Sequence, residues 1–133
     1  MENKKYLVVI DEEKSSSSAA LAIVTKLFGN DIKVVHGMNF EGTDILPIDF
    51  LFIGCNRPSP ASFAYFEDVL KHINLAGREC ALFSTSAQFG KHAIQYMSKI
   101  ISDSEIKLCA VPLVTKSINE LQSWVCDIIE GRN

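Results

Sequence analysis

Four serines in a row, Ser15, Ser16, Ser17 and Ser18, stand directly before a stretch whose apolar residues recur with helical spacing. The start of a helix carries unpaired backbone N–H groups, and hydroxyls beside them can cap the helix or help to hold an anion. Just upstream, Asp11-Glu12-Glu13 offers a run of carboxylates. These suit a solvated turn at the positive end of that helix, or else a cation site. Arg57 lies in Asn56-Arg57-Pro58-Ser59-Pro60, where both prolines fix φ and hold their predecessors extended. A cation in a loop so stiffened is well placed for an anionic ligand. Cys55, just past an apolar run, is the one cysteine placed to react, though packing filler is the favoured reading for it.

Other chemistry finds less support. The cysteines at 55, 80, 109 and 126 form no Cys-x-x-Cys, and they share no ligand-like spacing with His36, His72 or His92. No metal site is expected, and no nucleophile–base pair for a hydrolase can be named. Cys80 and Cys109 are expected in buried strands and Cys126 on a helix. A net charge of −3 without a basic cluster argues against nucleic acid and anionic lipid as partners. No apolar run approaches the length of a membrane span, and Tyr6–Ile10 is too short for the core of a signal peptide. The expected location is the cytoplasm.

The elements that must position these residues follow from the apolar patterning. With 133 residues, the chain is expected to form a single domain spanning 1–133. Tyr6–Ile10, Asp49–Gly54 and Glu79–Ser84 contain unbroken apolar runs, which suit strands covered on both faces. Ile32–Val35 is a weaker strand, and Lys107–Pro112 is expected as the fifth. Between them, apolar stripes predict helices after Ser15–Ser18 up to Gly29-Asn30, over Phe63–Ile73, across Ile94–Ile101, and over Ile118–Ile129 before Gly131. Phe63, Phe66 and Phe83 read as core, and Trp124 as packing on the last helix. Residues 37–47 read mostly as loop, so the helix between strands two and three is reduced or absent. The alternation predicts an α/β, three-layer doubly wound fold with a five-stranded parallel sheet in the order 2-1-3-4-5. In such sheets ligands gather beyond the carboxyl ends of the strands where the winding reverses. Here Asp11–Ser18, Cys55–Pro60 and Ser84–Phe89 face that point.

Asp49–Ser86 resembles the flavodoxin family. Its members read there as an apolar strand, Gly-Ser or Gly-Cys, a Pro-containing loop, an amphipathic helix, and then L-x-L-x-G-K-x-x-A-L-F. The last piece corresponds to Leu75-Ala76-Gly77-Arg78-Glu79-Cys80-Ala81-Leu82-Phe83, preceded by Ile73-Asn74. Flavodoxin is itself the standard instance of this strand order, with FMN at the reversal. The resemblance implies FMN as cofactor, with Ser15, Ser16, Ser17 and Ser18 on its phosphate. It implies Asn56, Arg57 and Pro58 on one side of the isoalloxazine and Ser84, Thr85, Ser86 and Phe89 on the other, with backbone near Cys55 at the ring edge. The implied function is electron transfer to a redox partner protein, the flavin supplying the chemistry. The family's T-x-T-G-x-T phosphate loop becomes Glu12-Glu13-Lys14-Ser15-Ser16-Ser17 here, without its glycine, and no aromatic stands between Gly54 and Phe63.

The alternative is a flavin-free regulatory or partner-binding module of the same fold. A receiver domain is disfavoured because Gly54-Cys55-Asn56 stands where a phosphate-accepting Asp is needed.

Overall fold

The computed structural model describes residues 4–12 and 16–131. Strand β1 (Tyr6–Ile10) pairs in parallel with β2 (Ile32–His36) on one side and β3 (Phe50–Gly54) on the other. Strand β4 (Glu79–Ser84) pairs with β3, and the short β5 (Lys107–Leu108) and β6 (Leu113–Val114) both pair with β4. The order is therefore β2-β1-β3-β4-β5, with β6 further along the same edge.

Strand side chains alternate between two cores, which is why the central runs contain no polar position. Leu7, Val9, Leu51, Ile53, Cys80 and Leu82 point to one face and pack with Phe63, Phe66, Met97 and Ile101. These come from the segment 61–72, whose helix α2 spans Ala64–His72, and from α3 (Gly90–Ser102). Tyr6, Val8, Ile10, Phe50, Phe52, Ala81 and Phe83 point to the other face, under α1 (Ser16–Phe28) and α4 (Ile118–Ile129). Trp124 of α4 meets Phe52 and Phe83 edge-on, with ring centroids 5.9 and 6.0 Å apart.

Between β2 and β3 the chain makes two 3₁₀ turns, Gly37–Asn39 and Gly42–Asp44, in place of a long helix. The segment is anchored by Phe40, Ile45 and Ile48, all buried, and by Lys33 paired with Asp44 at 2.7 Å.

One expectation is corrected at the β4 edge. The chain from Lys107 to Pro112 is not one strand, because after the Cys109 N–H bonds the Cys80 carbonyl the chain leaves the ladder, and the paired strand segments are Lys107–Leu108 and Leu113–Val114. Four residues there face two on β4, since Leu108 pairs with Cys80 and Leu113 with Phe83. Pro112 lacks the N–H a continuous ladder needs, and an edge strand tolerates such a break. The detour leaves Cys109 exposed, so it is not the buried strand thiol expected from its apolar neighbours.

Helix α4 is fastened at its start by Ser117, whose hydroxyl accepts the Glu120 N–H at 3.1 Å. Ser117→Ala is expected to cost about 1 kcal/mol, seen as a lower urea midpoint with an unchanged m-value.

Candidate functional site

The carboxyl ends of β1, β3 and β4 meet in one hydrogen-bonded cluster. The Asp11 N–H donates to the Gly54 carbonyl at 3.1 Å, which carries β1 pairing one residue beyond the strand and turns the Asp11 side chain inward. Its carboxylate is buried and accepts the Asn56 N–H at 2.7 Å, while its carbonyl accepts the Ser62 hydroxyl at 3.0 Å. Burial pushes the Asp11 carboxyl up to about 6, and the nearby charge of Glu12 adds to this. The main-chain N–H groups of Asn56 and Arg57 pull the other way without prevailing.

Asn56 is the hub. Its Oδ1 accepts from the Ser84 hydroxyl at 3.0 Å and the Thr85 N–H at 2.8 Å. Its Nδ2 donates to Thr85 Oγ1 at 3.0 Å and to Glu12 Oε2 at 3.4 Å. Ser17, buried at the start of α1, shares a hydrogen bond of 3.2 Å with the Thr85 hydroxyl. One side chain after β3 thus joins the loops after β1 and β4, and through Thr85 it reaches α1.

Above the cluster lies a cavity of about 330 Å³, lined by Glu12, Asn56, Arg57, Thr85, Ser86, Gln88 and Phe89. Arg57 Nε stands 3.9 Å from Glu12 Oε1, both side chains reaching water. Phe89 is 40 % exposed, and its N–H donates to the Ser86 hydroxyl at 3.0 Å, which fixes the turn into α3. Ser59 takes φ 50° between the two prolines, a left-handed conformation costly for a serine and one of the strained positions that cluster in binding loops. A larger hollow of about 560 Å³, bordered by Tyr6, Phe28 and Ile128, opens at the amino ends of the strands. That is the end away from the reversal, where ligands of doubly wound sheets do not gather.

Of the residues singled out from sequence, Asn56, Arg57, Thr85, Ser86 and Phe89 come together around the cavity. Ser84 lies fully buried beneath it, and Ser17 turns its hydroxyl into the cluster. Ser18 is half-buried on α1 and Pro58 is exposed, and neither lines the cavity. Ser16 opens α1, and Ser15 lies outside the described residues.

Cys55 is buried, its N–H spent on the Phe83 carbonyl at 3.0 Å and its thiol on the Arg57 carbonyl at 3.0 Å. Burial and the neighbouring Asp11 push that thiol far above the ordinary cysteine range, so a reactive thiolate is not available there. Sequence reasoning did not single out Gln88, the place of Glu12 on the cavity wall or the buried role of Asp11. The signal for Asp11 was its position directly after a strand buried on both faces. Among the described residues no three His, Cys, Asp or Glu side chains gather as a metal site needs, and no helix is long and apolar enough to cross a membrane.

No protein-family model matches the chain, and no curated protein matches it in sequence. Solved structures do match in shape. Oxidised flavodoxin 2 from Bacillus cereus superimposes with a TM-score of 0.78 at 14 % identity, over 96 % of this chain and 99 % of its own. The flavodoxin of Fusobacterium nucleatum bound to flavin mononucleotide gives 0.72 at 12 % identity, over 96 % and 98 %. Rubredoxin oxygen:oxidoreductase from Desulfovibrio gigas gives 0.75 at 12 % identity, over 98 % of this chain and 36 % of that longer one. With the β2-β1-β3-β4-β5 order and the reversal between β1 and β3, the chain has the flavodoxin-like fold.

Proposed function

We propose that this protein binds a flavin between the loops after β3 and β4 and carries electrons for a redox partner protein in the cytoplasm. The observation that supports this most is the position of the 330 Å³ cavity, at the carboxyl edge beside the strand reversal and bounded by Phe89. Its size is at the lower end of the roughly 300–1,000 Å³ usual for small-molecule sites. Phe89 offers a face for stacking, and Gln88, Ser86 and Asn56 bring amide and hydroxyl groups suited to a polar ring edge. A bound flavin supplies one- or two-electron transfer, and the surrounding groups set its potential.

The residues fit the ring of FMN better than its phosphate. At the α1 end, the Ser17 hydroxyl is engaged with Thr85, and the Asp11 carboxylate occupies the Asn56 N–H that an anion would otherwise meet. That self-filled end favours the second reading, a flavin-free module that binds a partner through the same loops.

Titrating the purified protein into riboflavin and into FMN while following flavin fluorescence separates the two. Quenching at micromolar protein is expected. Phe89→Ala should weaken it about two- to tenfold, the loss of one aromatic contact, with an unchanged thermal midpoint. If neither flavin is quenched, the electron-carrier reading goes and the partner-binding one stays.

A further inference from the structure

Resting on the flavin reading, we propose that the cavity selects flavins that carry no phosphate, so that riboflavin is its ligand in preference to FMN. The Glu12 carboxylate lines the cavity and is held there by Asn56 Nδ2 at 3.4 Å and Arg57 Nε at 3.9 Å. Arg57 is the one cation among the described lining residues, and its charge is matched by that of Glu12. Asp11 lies beneath them with its carboxylate on the Asn56 N–H, and the Ser17 hydroxyl bonds Thr85. Among the described residues, the Asn56 N–H and the Ser17 hydroxyl are thus answered by the chain's own oxygens. A phosphomonoester brings roughly −1.5 to −2 charges at neutral pH and would meet the Glu12 carboxylate at the cavity wall, with Asp11 beneath it. An uncharged hydroxyl tail does the opposite, because it can donate to a carboxylate, which is an acceptor only.

The test compares riboflavin and FMN on the full chain by fluorescence titration, at low and high salt. Riboflavin is expected to bind at least about tenfold more tightly than FMN at about 20 mM salt, and the gap should narrow near 0.5 M as like-charge repulsion is screened. Glu12→Gln should narrow the gap at low salt too, with circular dichroism matching the wild type because Glu12 is partly exposed. FMN binding as tightly as riboflavin, or more tightly, overturns the selection and leaves flavin binding intact. A gap unmoved by both salt and Glu12→Gln also overturns it. Absence of binding by both flavins removes the underlying flavin reading itself.

Discussion

Asn56→Ala is expected to lower the unfolding free energy by about 2–4 kcal/mol, because it removes the acceptor shared by two donors at the strand ends. The Ser84 hydroxyl is fully buried and donates to Asn56 Oδ1, and the Thr85 N–H does the same at 2.8 Å. Ser84 Oγ still accepts the Ser86 N–H at 3.2 Å, but its own proton and the half-buried Thr85 N–H lose this acceptor, so each retains a desolvation cost in the variant. The hydrogen bond from the Asn56 main-chain N–H to Asp11 survives, which confines the loss to the side chain. Asn56→Asp is the informative companion. It keeps an acceptor for Ser84 and Thr85 but loses the donor to Thr85 and Glu12 and adds a charge beside Asp11. At neutral pH it should be no more stable than the alanine variant, and at mildly acid pH it should recover. Urea unfolding of the three proteins checks this. A loss below about 1 kcal/mol for Asn56→Ala would mean the cluster is too well hydrated to behave as a buried network.

The same residue shows where a linear reading stops. The strands were legible because each central run is buried on both faces, as Leu7 and Val9 against Val8 and Ile10 illustrate. Residues 37–47 were legible as a reduced segment, though not the way Phe40 and Ile45 turn inward to hold it. The break in the fifth strand was missed because Cys109-Ala110-Val111-Pro112 keeps an apolar pattern. Pro112 was the available warning, and the edge position decided the outcome. At the site, the loops that meet could be read from the strand order. Which side chain would join them could not. Asn56 reads like any polar turn residue, and its role exists only because Glu12, Ser84 and Thr85 arrive from three distant segments. Asp11 was mistaken for part of a solvated acidic turn, since charge suggests the surface more strongly than one added step of strand periodicity suggests burial.

That burial makes Asp11 a stability liability at neutral pH, with a definite sign. Its carboxyl titrates at about 6 in the folded protein. In an unfolded chain an aspartate titrates near ~3.9. Between those values the native state binds more protons than the unfolded one, so stability must fall as pH rises through the window. The contribution is complete below the lower value and gone above the upper. Asp11→Asn removes the titration while keeping an oxygen for the Asn56 N–H. Relative to wild type, the variant should gain on the order of 2 kcal/mol between about pH 4.5 and about pH 7.5. Asp44 works in the opposite direction but at lower pH. Burial alone would raise it, yet Lys33 and the Glu41 N–H outweigh burial and hold its carboxyl below the usual range. Its stabilisation is therefore lost only as pH falls beneath the Asp11 window. His36 lies beside the same residue, its Nε2 3.0 Å from the Asp11 main-chain oxygen. Unfolding free energies of wild type and Asp11→Asn across the window decide the matter. Parallel curves would show that the Asp11 carboxylate reaches water in solution, and a wild-type advantage growing with pH would show that its charge is stabilised by the loop amides more than burial penalises it.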